Sequence, residues 1–124
     1  MAGPPIAPEG PIEAAISHAV VRLYLDKFGK GPLHVATHLN GDVATTIMRD
    51  VFTGAERALI AAGRADTVLT TRMLWQRATE EAFKRNVSDA GGRDVLTVVS
   101  GFSIDDDVAT EVFVLAPQAQ KEPG

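Results

Sequence analysis

Two histidines four residues apart, three consecutive aspartates and a glutamate inside an apolar run are the residues of this 124-residue chain best suited to chemistry. On a helix, His34 and His38 would put two imidazoles beside one metal ion. The stretch from Leu33 to Leu39 reads as a strand instead, where the two share a face but stand about 13 Å apart at 3.3 Å per residue. One ion cannot bridge that, so a surface or interface role is expected and ligand binding is secondary. His18 falls on a helix, partly exposed. Asp105-Asp106-Asp107 offers carboxylates, but calcium loops alternate their ligands and need six or more oxygens. A turn or an edge guard is the expected role. Ser100 precedes Gly101 without a G-x-S-x-G context, and the paired glycines form neither a dinucleotide nor a P-loop fingerprint. Trp75, Met73 and Phe83 read as core residues rather than a pocket lining. No catalytic set, metal site or cofactor motif emerges, and the chain contains no cysteine, which removes disulfides and thiolate chemistry.

Charge narrows the partners. The net charge is −4, a poor footprint for nucleic acid. Arg64, Arg72, Arg77, Lys84 and Arg85 form a local basic run, interrupted by Glu80 and Glu81, and read as a solvated helix face pairing with Glu56, Asp66, Glu80 or Glu81. No run of about 18 apolar residues is present, so no direct membrane insertion is expected. Residues 1–11 lack the basic and apolar regions of a signal peptide, which points to a cytoplasmic protein.

The elements that must position these residues are legible from local signals. Four prolines and two glycines make residues 1–11 an expected flexible arm, residues 12–116 form a single α+β domain, and 117–124 an expected flexible tail. Ile12, Ile16, Ala19, Val20 and Leu23 recur at helical spacing, predicting a helix over 12–28 that Gly29 and Pro32 end. Asn40-Gly41 predicts a hairpin with a type I′ turn, pairing Leu39 with Asp42 and Thr37 with Ala44. Leu33, Val35, Leu39, Ala44 and Met48 then share the better core face, and His34, Ala36, His38, Val43 and Ile47 the other. Thr53-x-x-Glu56 reads as a capping box. The helix it opens is either broken at Gly63 and restarted at Asp66, running to about Ser88, or continuous over 54–88. Gly91-Gly92 ends it, Asp94 to Val99 is a strand, 101–107 a loop, and Val108 to Leu115 the last strand. The order α-β-β-α-β-β predicts a four-stranded antiparallel sheet with helices packed on one face.

Gly29-Lys30-Gly31-Pro32, Thr53-x-x-Glu56, Gly63, Arg72, Gly92-Arg93 and Glu111-Val112-Phe113-Val114-Leu115, in that order and spacing, resemble the MpsC-like family of small bacterial proteins. The resemblance spans about residues 17–115. It implies association with a sodium-translocating, membrane-potential-generating system and brings no catalytic residue set. The chain departs from the family pattern at 102–107, where Phe102-Ser103-Ile104-Asp105-Asp106-Asp107 stands in place of a His-Asp pair.

If Val112 and Val114 face the core, then Glu111, Phe113 and Leu115 point outward. They would join Val43 and Ile47 on a face that two helices cannot cover, and such a patch marks an interface. The expectation is a non-enzymatic accessory protein, homodimeric through Val43, Ile47, Glu111, Phe113 and Leu115, with a membrane-protein partner and without nucleic acid. The competing reading is a small-ligand binder or enzyme using His34, His38 or Glu111 at a dimer seam.

Overall fold

Gly10 and Pro11 open the first helix because proline lacks only an N–H that the first turn would leave unpaired. The Glu13 carboxylate accepts the Gly10 amide at 2.8 Å. This computed structural model describes residues 9–118. Most of the expected arm, residues 1–8, and residues 119–124 of the expected tail lie outside that span, but residues 9–11 are already built into the domain. Helix α1 covers Pro11–Phe28 and ends at Gly29, which takes the left-handed conformation with φ 71°.

Strands β1 (His34–Asn40) and β2 (Val43–Arg49) form the expected hairpin. Its register pairs Leu39 with Ala44 and Asn40 with Val43, two residues along from the expected pairing. Gly41 is therefore the first loop residue, with φ 61°, the position that a type II′ turn reserves for glycine. A two-residue slip keeps every side chain on its face, so Ala44 and Met48 are buried and Val43 and Ile47 exposed as expected, whereas Leu33, expected on the core face, precedes the strand and is exposed.

Helix α2 (Gly54–Ala61) begins at the expected capping box. Thr53 Oγ1 accepts the Glu56 amide at 3.2 Å, and Glu56 Oε1 accepts the Thr53 amide at 2.9 Å. The helix breaks at Gly63 (φ 80°) and restarts as α3, Ala65–Ala78, with Arg64 rather than Asp66 at the cap. A second break follows where one long helix was expected. The Thr79 hydroxyl donates to the Trp75 carbonyl at 2.8 Å, and α4 starts at Glu80 and runs to Gly91. This turn lets Trp75 and Phe83 both close on Tyr24, with ring centroids 5.4 and 6.3 Å away.

Strand β3 (Val95–Ser103) is longer than expected and joins β4 (Val108–Leu115) through a short turn. All pairings are antiparallel and the sheet order is β1-β2-β4-β3. The fold is α+β, in the order α-β-β-α-α-α-β-β. The core packs between the sheet and the helices: Ile16, Val20 and Tyr24 of α1 and Phe83 and Val87 of α4 meet Met48, Ala109 and Phe113.

One expectation about direction is overturned. Glu111, Phe113 and Leu115 point into the helix-covered core and are buried, while Val112 and Val114 take the open face. Both alternating sets of β4 are apolar enough to be core. Burying Phe113 and Leu115 removes more apolar area from water than burying two valines. Strict alternation then carries Glu111 inside with them.

Candidate functional site

The register aligns four polar residues across the covered face. Thr37, Thr46, Glu111 and Ser100 are successive cross-strand partners from β1 to β3. Thr37, Thr46 and Glu111 are fully buried. A polar row through a core is costly unless its groups bond to one another, and these do. Ser17 of α1 donates to Glu9 Oε1 at 3.0 Å, and the same oxygen accepts the Thr37 amide at 2.9 Å. Ser17 and Thr37 share a hydroxyl bond of 2.7 Å, and Thr37 and Thr46 one of 2.8 Å. Each hydroxyl has one proton. With the Ser17 proton on Glu9, Thr37 must donate to Ser17 and Thr46 to Thr37.

Glu111 anchors the other half of the row. Tyr24 of α1 donates to its Oε1 at 2.8 Å, and Ser100 donates to its Oε2. No cation lies within salt-bridge distance of this carboxylate among the described residues. Burial pushes the Glu111 carboxyl up to about 7, against the two hydroxyls that favour its charged form. Burial also raises the Tyr24 hydroxyl well above its usual range, with the neighbouring Glu111 charge adding to it.

A cleft of about 310 Å³ reaches the Ser100 end of the row, between Met73, Gln76, Arg77 and Glu80 on one side and Val98, Val99 and Ser100 on the other. Gln76 is buried, and neither its amide oxygen nor its amide nitrogen has a partner. A larger depression of about 850 Å³ beside Ile12, Arg93 and Ala116 contains no comparable buried group among the described residues.

The second buried charge is a clamp. Arg72, expected on a solvated face, is fully buried. Its Nε and Nη2 grip Glu56 at 2.7 and 2.6 Å, and Nη2 also donates to the Val51 carbonyl at 3.0 Å. The guanidinium lies 3.6 Å from the Phe28 ring centroid, a stacking geometry that arginine favours. Burial works to raise the Glu56 carboxyl, but Arg72 and Thr53 outweigh it and hold it below the usual range. Glu56 thus serves the capping box and the ion pair together. The weak surface pair expected for Arg72 is corrected to a buried one. Arg64 does make an exposed pair with Asp66, at 3.5 Å.

The remaining sequence candidates separate. Asp107 is structural, as expected for the aspartate run: its Oδ1 accepts the Val51 and Phe52 amides at 2.8 and 3.2 Å, and its Oδ2 pairs with Arg57 at 2.9 Å. His34 and His38 lie on the open sheet face with Val43 and Ile47, while Glu111, Phe113 and Leu115 lie on the covered one. The sheet divides the histidines from Glu111, so they do not converge in one chain. Arg93 donates to the Ala116 and Gly41 carbonyls at 2.9 and 3.0 Å and pairs with Asp42. The motif residues Glu56, Arg72 and Arg93 are therefore fasteners between segments distant in sequence.

These fasteners extend over the span that matches a known family. Residues 9–117 fit the model described as Na+-translocating membrane potential-generating system (MpsC). The chain belongs to the MpsC family. Neither the curated proteins nor the solved structures gave a match. Sequence reasoning assigned no role to Ser17, Thr37, Thr46, Ser100 or Gln76 of this MpsC-family chain. The only available signal was the parity of Glu111 with Phe113 and Leu115.

Proposed function

We propose that this chain is a non-enzymatic accessory module that self-associates through its uncovered sheet face. In the cytoplasm, it docks on membrane components of a Na+-translocating, membrane-potential-generating system. The observation that carries this reading is the open face itself. Val43, Ile47 and Val99 are 38%, 39% and 55% exposed, and Val112 and Val114 lie beside them in the same cross-strand rows. The helices pack on the opposite side, as the contacts of Ser17 with Thr37, Tyr24 with Glu111 and Phe83 with Phe113 require. An apolar sheet face with polar margins, here His34, His38 and Arg49, is a docking surface by composition.

Edge pairing is already blocked on one side. Glu9 and Glu13 accept the Thr37 and Leu39 amides of edge strand β1 at 2.9 and 2.8 Å, so that edge cannot add a strand from another copy there. The two backbone bonds to Glu13, from Gly10 and Leu39, hold its carboxyl below the usual range. Face-to-face packing remains for the exposed valines and Ile47. Four strands spaced about 4.8 Å, rising about 3.4 Å per residue over seven residues, present roughly 450 Å². Two copies would bury on the order of 900 Å², below the usual size of stable interfaces, which favours micromolar rather than nanomolar self-association. No helix among the described residues is long and apolar enough to cross a membrane, so the proposed role is docking on a path that other components provide.

Sedimentation velocity tests the reading. The unmutated chain should shift from monomer toward dimer across micromolar concentrations, and Ile47→Glu should hold it as a monomer with unchanged thermal stability. A species of 13.2 kDa at every concentration would refute self-association.

A further inference from the structure

The most unusual group in the molecule is Glu111, a fully buried carboxylate with no cation in salt-bridge reach among the described residues. It accepts hydrogen bonds from Tyr24 and Ser100. Each hydroxyl thereby spends its proton on Glu111 and keeps its oxygen lone pairs unspent. Ser100 also lines the α3–β3 cleft, and so does Gln76, whose buried amide oxygen and nitrogen are both without partners. Buried polar atoms of this kind are normally satisfied. Through Ser100 the cleft thus connects to one carboxylate without a cation partner and to hydroxyl and amide oxygens that accept no hydrogen bond among the described residues.

We propose that the α3–β3 cleft leads to a binding site for a compact monovalent cation, held by the Glu111 carboxylate, the Ser100 and Tyr24 hydroxyl oxygens and the Gln76 amide oxygen. The charge count sets the valence. One carboxylate balances one positive charge. Calcium takes six to eight oxygens, commonly from several carboxylates, and no cluster of three His, Cys, Asp or Glu residues suited to a metal occurs among the described residues. Burial sets the size, because the Gln76 amide atoms are sealed from solvent and Met73 and Val98 wall the approach. Na+, K+ and ammonium share the required chemistry: a single positive charge that seeks oxygen lone pairs. At the mouth, Arg77 and Glu80 oppose each other in charge and leave the carboxylate as the attracting group. The Glu111 carboxylate is on the covered side of the sheet, and Val99 alone is shared between the cleft and the open face proposed for self-association.

The test uses the full chain in choline chloride buffer at constant ionic strength, with NaCl, KCl or NH4Cl replacing choline stepwise. Trp75 is the sole tryptophan and its ring contacts Tyr24, so its fluorescence reports on the site, with thermal melting as a second readout. At least one of the three salts should give a saturable change, and the salt that does so separates metal ions from ammonium. Gln76→Ala, which removes an unsatisfied amide and should fold normally, should raise the half-saturating concentration about tenfold. Glu111→Gln should abolish saturation. In the unmutated chain, protons should compete with the cation, so binding should weaken as pH falls through about 7, where Glu111 takes its proton. Among the charged and titratable groups nearby, Tyr24 of α1 bonds to Glu111, the Arg72 guanidinium of α3 lies 5.8 Å from the Tyr24 ring centroid, Arg77 and Glu80 line the cleft, and the paired strands place no other carboxylate on the covered row between Thr46 and Ser100. Responses identical to choline for all three salts, or saturation that persists unchanged in Gln76→Ala, would overturn the proposal.

Discussion

Replacing Glu111 with glutamine should change how stability depends on pH. The folded-state carboxyl stands at about 7, against 4.5 for the ordinary group. A raised acid binds its proton more tightly in the folded state, so its contribution is complete below about pH 4.5 and is lost as pH rises to about 7. At 1.36 kcal/mol per pH unit, the difference is about 3 kcal/mol. Glu111 is fully buried, so solvent screening does not reduce that figure. Glutamine keeps the shape, its amide oxygen can accept one of the two hydroxyls while its amide nitrogen donates to the oxygen of the other, and it does not titrate. Glu56 and Glu13 have lowered values and lose stability as pH falls, with the opposite sign. They are common to both proteins and cancel in the comparison. Urea unfolding followed at Trp75, in choline buffer from about pH 5 to pH 8, measures the effect. The stability of Glu111→Gln relative to the unmutated chain should rise by about 2.5 kcal/mol across that range, the rest of the effect lying below pH 5. A difference that stays flat with pH would mean that the carboxylate is hydrated or compensated, and the account of the polar row would fail.

Other outcomes follow from the same structure. Arg72→Met should destabilise by about 3–5 kcal/mol in denaturant melts, because it strands Glu56 in a partly buried pair and frees the Val51 carbonyl; a loss under 1 kcal/mol would show the clamp to be dispensable. Thr53→Ala should cost about 1 kcal/mol, the usual value of a lost N-cap, and an unchanged midpoint would contradict the bond to the Glu56 amide. Phe113→Glu should unfold the domain rather than merely dissociate it, since Phe113 is buried against Phe83; a folded monomer would place Phe113 on the open face instead. Val43→Glu, like Ile47→Glu, should weaken self-association without lowering the melting temperature, because both side chains already touch solvent.

Local signals in the chain determined its elements. Gly29, Gly63 and Gly92 each take positive φ at a helix end, a conformation glycine alone adopts without strain. The Thr53 and Glu56 pair, three residues apart, capped α2 without help from the rest of the fold. The alternation in β1 and β2 fixed which face was buried, even though the loop register moved by two residues. The break at Thr79 was not legible, because a threonine within a helical pattern is ordinary and the turn forms to bring Trp75 and Phe83 onto Tyr24.

The candidate site belonged to tertiary structure almost entirely. In β4, both alternating sets could have faced the core. Only packing against Phe83 and the neighbouring strands chose Phe113 and Leu115, and pleating then made Glu111 a buried acid. Thr37, Thr46, Glu111 and Ser100 are far apart in sequence and meet because the order β1-β2-β4-β3 aligns them. Arg72 looked like one more surface cation until the chain path brought Glu56 and Phe28 around it. Sequence fixes what is set by neighbours within a turn or a strand, whereas burial of a charge depends on residues that only the folded chain brings together.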